Sequence, residues 1–96
     1  MRAFVVRLNG KRLCTAGIGR NGVLTAIVNW VNGSPRGDRE DHFFFHVGGL
    51  DSSTDEHVTY DVPELKVGDT VTVRIVETER IDPETKRYKA DSSDGG

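Results

Sequence analysis

The chain opens with alternating apolar and polar residues, which is the pattern of a half-buried β-strand. In "RAFVVRLNGKRLCTAGI" the side chains of Phe4, Val6 and Leu8 share one strand face. The Asn-Gly pair at 9–10 supplies the positive φ angles of a tight two-residue turn, and Leu13 begins a return strand. This opening segment is therefore predicted to form a β-hairpin.

The next segment, "NGVLTAIVNWVNG", fits two different structures. As a helix, its apolar residues fall at positions i, i+1, i+4, i+5 and i+8 counted from Val23, which makes one continuous stripe. As a strand, it places Leu24, Ala26, Val28 and Trp30 on one face. Periodicity leaves both structures open, and the high content of β-branched residues favours the strand.

Three more strands are predicted after a polar loop that contains Pro35. In "HFFFHVGGL", Phe44 lies on the more polar face together with His42 and His46. "HVTYDV" is predicted to form a short strand, and "DTVTVRIVE" a longer one that buries its alternate apolar residues. These buried residues are expected to be Val71, Val73 and Ile75.

The apolar alternation stops at Thr78, after which charged residues, Pro and Ser dominate the chain. A chain of 96 residues can bury one modest core. We therefore expect a single globular domain at residues 1–77 and a flexible C-terminal tail at residues 78–96.

The charge is unevenly distributed along the chain, although the net charge is only −2. Residues 1–37 contain six Lys and Arg residues and no acid, so a basic face could meet an acidic partner. The basic residues are not interleaved with stacking aromatic residues, so we expect no nucleic-acid partner. No apolar run reaches the length of a membrane span, so we expect no membrane partner and a cytoplasmic location.

The side chains give little indication of catalytic or metal chemistry. On one strand, His42 and His46 would be about 13 Å apart, which is too far to share an ion. A lone Cys14 in a strand interior is typical of a small buried hydrophobic residue. "GIGRNG" lacks the lysine and the βαβ context of a phosphate-binding loop. We expect no metal, no cofactor and no enzymatic activity of the chain itself.

The remaining candidate for chemistry is the C-terminal pair Gly95-Gly96. A terminal carboxylate can be activated as an acyl adenylate and passed to a nucleophile. Two glycines suit this reaction, because without Cβ atoms they fit a narrow channel and tolerate unusual backbone angles.

The start of the chain, "MRAFVVRLNGKRL", resembles the opening of ubiquitin-like proteins. The order of predicted elements is also similar to the β-grasp fold of that family, and the Gly-Asp turn in "LKVGDTVTV" resembles that of small sulfur-carrier β-grasp proteins. The resemblance implies an α+β fold with a hairpin, a helix at about 22–32 and two to three further strands. The positions that match are Met1, Phe4, Val5, Leu8, Gly10 and Lys11.

The resemblance implies that the chain would be a small protein modifier of a bacterial ubiquitin-like type. Gly96 would be adenylated and joined to a target or carrier through an isopeptide bond, with Gly95 keeping the channel clear. Its partners would be an activating enzyme, a conjugating enzyme and an isopeptidase. Leu8 and Phe44 would be the candidate partner-binding residues.

The alternative from the residues alone is an all-β fold. In that fold residues 23–32 are a strand in a six-stranded meander, closed as a small sandwich or barrel. The function that goes with it is a non-enzymatic protein-interaction module with a disordered tail.

Overall fold

The computed structural model describes residues 1–32 and 41–89, and these residues form β-strands without any helix. No described segment is a helix long and apolar enough to cross a membrane. The seven strands are β1 (Arg2–Leu8), β2 (Lys11–Ala16), β3 (Gly22–Asn32), β4 (Asp41–Asp51), β5 (Glu56–Tyr60), β6 (Val71–Glu77) and β7 (Lys86–Lys89).

The predicted α+β β-grasp fold with a helix at about 22–32 is wrong. Gly22–Asn32 is strand β3, which pairs antiparallel with β4 over its full length, from Gly22 opposite Asp51 to Asn32 opposite Asp41. Its β-branched side chains lose rotamer freedom in a helix but pack well on a pleated sheet. The all-β alternative therefore fits the structure, although the described residues form seven strands rather than six.

The strands form two antiparallel sheets, with the orders β2-β1-β6 and β3-β4-β5-β7. The predicted opening hairpin is confirmed, because β1 pairs with β2 and both turn residues, Asn9 and Gly10, have positive φ. β3, β4 and β5 form a meander. β1 also pairs with β6 from the far end of the domain, so the fold is not a simple meander.

The core lies between the inner faces of the two sheets. Val6 and Cys14 are opposite each other in the three-stranded sheet, and Val47 and Tyr60 are opposite each other in the four-stranded sheet. These four side chains and Ala16 form the buried cluster. Burial of this kind supplies most of the favourable free energy of folding for a small domain.

The predicted burial of Val73 and Ile75 is wrong, since their exposed fractions are 40% and 69%. Both belong to β6, which lies at the edge of its sheet. Alternation predicts correctly that they share a face with the core residues Val6 and Phe4. Alternation does not predict that the other sheet leaves these β6 side chains exposed.

Part of the segment assigned from the sequence to a tail belongs to the fold. The Asp82 backbone N–H donates to the Thr15 carbonyl at 2.8 Å, and the Thr15 N–H donates to the Asp82 carboxylate at 2.9 Å. Lys86–Lys89 then forms β7, which pairs with β5. The sequence "KRYK" has no apolar alternation, so backbone pairing and polar contacts hold a strand that the pattern does not show.

Candidate interaction surface

The face of the four-stranded sheet that points away from the core is called the outer face here. Residues directly opposite each other on paired strands share a face, and residues two apart along a strand share a face. Because Ala26, Val47 and Tyr60 point to the core, their neighbours along each strand point outward. The outer face therefore carries Val23, Thr25, Ile27, Asn29, Val31, His42, Phe44, His46, Gly48, Leu50, His57, Thr59, Lys86 and Tyr88.

Large apolar side chains are exposed across the outer face. Five of them have exposed fractions between 41% and 56%, which is unusual for residues on regular strands of a small domain. They come from three of the four strands, so the exposure is a property of the sheet and not of one loop. The five are Val23, Ile27, Val31, Phe44 and Tyr88.

Contacts within and between strands order this surface. The rings of His57 and Tyr88 have centroids 5.2 Å apart, and those of His42 and Phe44 are 6.3 Å apart. The Thr25 hydroxyl donates to the Gly48 carbonyl at 3.0 Å. The exposed groups are thus held on a paired backbone, which lowers the entropy lost when a partner binds.

The paired strand residues of the outer face include no carboxylate, and they carry three histidines and Lys86. Three acids lie around Arg87 on the other side of the sheet. The Arg87 guanidinium contacts Glu56 at 2.8 Å, Asp51 at 3.1 Å and Glu84 at 3.3 Å. Hydrogen bonds from Arg87 hold the pKa of each of these carboxyl groups below its usual value.

The two residues predicted to bind a partner lie on different sheets. Phe44 is exposed on the outer face, as described above. Leu8 lies at the end of β1 in the three-stranded sheet, opposite Lys11 and Val71, and is half-buried. They do not form one surface. Gly95 and Gly96, the predicted conjugation residues, lie outside the described residues.

Other reactive side chains do not form a site in the part of the chain that the structure describes. No three metal-ligating side chains come together there. Cys14 is buried, and burial, with a smaller contribution from the Asp82 carboxylate, raises the pKa of its thiol. The thiol is therefore protonated and shielded at neutral pH.

Most of the outer face was missed from the sequence. The sequence pattern places Val23, Ile27 and Val31 on the stripe of a possible helix, and Tyr88 in the tail. The available signal was the second face of the strand pattern, where valine and isoleucine recur at every fourth residue with Thr25 and Asn29 between them.

Comparison with protein-family models, with curated proteins and with solved structures finds no match. We therefore infer a function from the geometry and the charge of the described residues. The outer face is the feature of that geometry with the clearest chemical consequence, because it exposes apolar groups on a preformed surface.

Proposed function

We propose that the chain is a non-enzymatic protein-interaction module whose outer face binds an acidic protein segment that carries apolar side chains. The observation that carries this proposal is the set of five exposed apolar side chains on one ordered sheet face whose paired strand residues include no carboxylate. Single exposed apolar residues are common on proteins, but a contiguous group of them is typical of an interaction site.

The positive charge of Lys86 and the imidazole N–H donors of the face support the choice of an acidic partner. Glutamate or aspartate side chains of a bound segment would meet the Lys86 ammonium group, the imidazoles of His42, His46 and His57, and no carboxylate from the paired strand residues of this face. The apolar side chains of the segment would bury against Phe44 and its apolar neighbours. Charge complementarity of this kind sets partner choice and the rate of association, while apolar burial supplies affinity.

The proposal is tested with two short synthetic peptides that alternate Phe or Leu with Glu in one case and with Lys in the other. Amide chemical shifts of the isotope-labelled protein are followed during each titration. We expect the Glu peptide to bind more tightly and to shift the amides of residues 23–31, 42–50 and 86–88. Equal binding of the Lys peptide, or shifts confined to the three-stranded sheet, would contradict the proposal.

A matched pair of variants localises the binding. Phe44→Ser should weaken binding of the Glu peptide by about tenfold, because it removes a large exposed aromatic contact of the outer face. Val67→Ser removes another exposed apolar side chain, in the loop before β6, and should leave binding unchanged. An equal effect of the two variants would mean that the outer face is not the binding surface.

The predicted conjugation through Gly95 and Gly96 stays a prediction, because no described residue bears on it. The β-grasp fold that supported it is absent from the described residues. Its test is deletion of both glycines, followed by a search for loss of higher-mass adducts in cells with the native neighbouring genes.

A further inference from the structure

The outward edge of β3 differs from the other sheet edges of the described residues. The edge strand β7 has four residues, three of them Lys or Arg, and β6 carries Arg74 and Glu77. The third edge strand, β2, is covered where Asp82 bonds to Thr15. Charges and cover of this kind prevent unwanted strand pairing. β3 spans eleven residues without a charge or a proline, and its outward edge has no strand partner in the described chain.

Within β3, the order of polar and apolar residues from Val23 to Val31 is the same in both directions. From Val23 to Val31 the order is two apolar residues, Thr25, three apolar residues, Asn29 and two apolar residues. The centre of this pattern is Ile27. Antiparallel pairing of two copies of one strand about a two-fold axis brings each residue opposite its counterpart at equal distance from the axis. A palindromic pattern therefore makes the strand complementary to itself.

The register centred on Ile27 matches polarity over the longest stretch, from Val23 to Val31. An axis at Ala26 places Thr25 opposite Ile27, and an axis at Val28 places Asn29 opposite Ile27, so both registers set a polar residue against an apolar one. In the Ile27 register the Thr25 hydroxyl lies opposite the Asn29 amide, and each apolar residue lies opposite another apolar residue. Its pairs are Val23 with Val31, Leu24 with Trp30, Thr25 with Asn29, Ala26 with Val28, and Ile27 with Ile27.

Two side chains on the core-facing side of β3 gain cover in this register. Trp30 and Val28 have exposed fractions of 63% and 53%, because their end of the strand extends past the buried cluster. In the pairing they lie opposite Leu24 and Ala26 of the second copy, which pack against the core. The most exposed core-facing residues of one copy thus lie opposite the more buried core-facing residues of the other.

We propose that two copies of this chain associate through their β3 edges, antiparallel about a two-fold axis at Ile27, and join their four-stranded sheets into one continuous sheet. The partner is a second copy, because the strand is self-complementary in polarity and has no charge that would repel an identical strand or select a charged one. The outer faces of the two copies then lie side by side.

The test uses the full chain and analytical ultracentrifugation. The unaltered protein should sediment with the mass of two chains. Ile27→Lys and Ile27→Glu each place like charges directly opposite each other across the axis, so each variant alone should have the mass of one chain. An equimolar mixture of the two should recover the mass of two chains, because opposite charges then face each other. Val67→Lys is the control with the same added charge, and it should stay dimeric.

A cysteine at the axis tests the register and does not depend on the stability of the charged variants. Ile27→Cys should form a disulfide-linked dimer under mild oxidation, whereas Val67→Cys should not. Cys14 is buried and does not compete. An unaltered protein with the mass of one chain at high concentration overturns the proposal, and so does a dimer that survives both charged variants or leaves Ile27→Cys unlinked.

The proposed peptide binding is independent of this result. Phe44→Ser should keep the mass of two chains, because Phe44 lies on β4 and away from the β3 edge. A monomeric protein that still binds the Glu peptide would refute the dimer alone. A dimer that binds neither peptide would refute the interaction module alone.

Discussion

The Tyr60 hydroxyl joins three parts of the fold, so its removal is a sharp test of how the domain is held together. Tyr60 is 3% exposed at the end of β5. Its hydroxyl oxygen accepts from the Gly17 backbone N–H at 3.2 Å, and the hydroxyl donates to the Asp82 carbonyl at 2.9 Å. It therefore connects the four-stranded sheet to the end of β2 and to the segment between β6 and β7.

The substitution Tyr60→Phe keeps the ring and deletes these hydrogen bonds. The Gly17 N–H is buried and loses its partner, and the Asp82 carbonyl loses a donor. Leaving buried polar groups without partners costs about 1–3 kcal/mol of the free energy of unfolding. For a domain of this size a loss of about 2 kcal/mol lowers the midpoint temperature by about 8–16 °C. A loss of about 2 kcal/mol is a large share of the total free energy of unfolding, which is about 5–15 kcal/mol for such a domain.

Urea unfolding followed by circular dichroism, at one fixed protein concentration, measures the effect. Tyr88→Phe is the matched control, because it deletes the hydroxyl of the other tyrosine of the chain, which is half exposed on the outer face. We expect Tyr60→Phe to unfold at lower urea with the same slope, and Tyr88→Phe to match the unaltered protein. Equal midpoints for the two variants would refute the reasoning, because the buried hydroxyl would then contribute no more than the exposed one.

Two further predictions follow from the buried and hydrogen-bonded groups. Hydrogen bonds from the Asn9 side chain and from Lys66 lower the pKa of Asp69 from 3.8 to about 2. The ionised Asp69 carboxylate therefore contributes its full stabilisation above its usual pKa, and this stabilisation is lost as the pH falls from about 4 to about 2. The variant Asp69→Asn should flatten the pH dependence of the urea midpoint between about pH 4 and about pH 2. An unchanged slope in that variant would contradict the assignment. Cys14 should react slowly with an aromatic disulfide reagent at neutral pH and rapidly in urea, because its thiol is buried and its pKa is raised; rapid labelling of the folded protein would contradict its burial.

The local signals in the sequence predict the structure well where they are self-contained. The opening hairpin depends on alternation and on an Asn-Gly turn, and both lie within one short segment. Strands β4, β5 and β6 are likewise predicted from alternation, within a few residues of their observed bounds. These elements need no information from distant parts of the chain.

The errors arise where distant pairing decides the structure. The apolar stripe counted from Val23 suits a helix in isolation, but β4 supplies a partner for every residue of β3. β7 has no apolar pattern and exists because β5 and the acids around Arg87 hold it. Of the outer face, the alternation predicts Phe44, because its side chain points away from those of Phe43 and Phe45. Its neighbours could not be assigned until the helix was excluded.

The palindromic polarity of residues 23–31 is present in the sequence, yet its meaning depends on where the strand lies. In a helix the same residues would form one apolar stripe, and in a central strand a neighbour would occupy both edges. Only the observed order of the sheet places β3 at an edge, with its outward backbone groups free of strand partners in the described chain. The absence of charge then becomes informative, because β6 and β7 carry charges at comparable positions. Self-pairing of β3 is thus an inference that needs both the pattern and the fold.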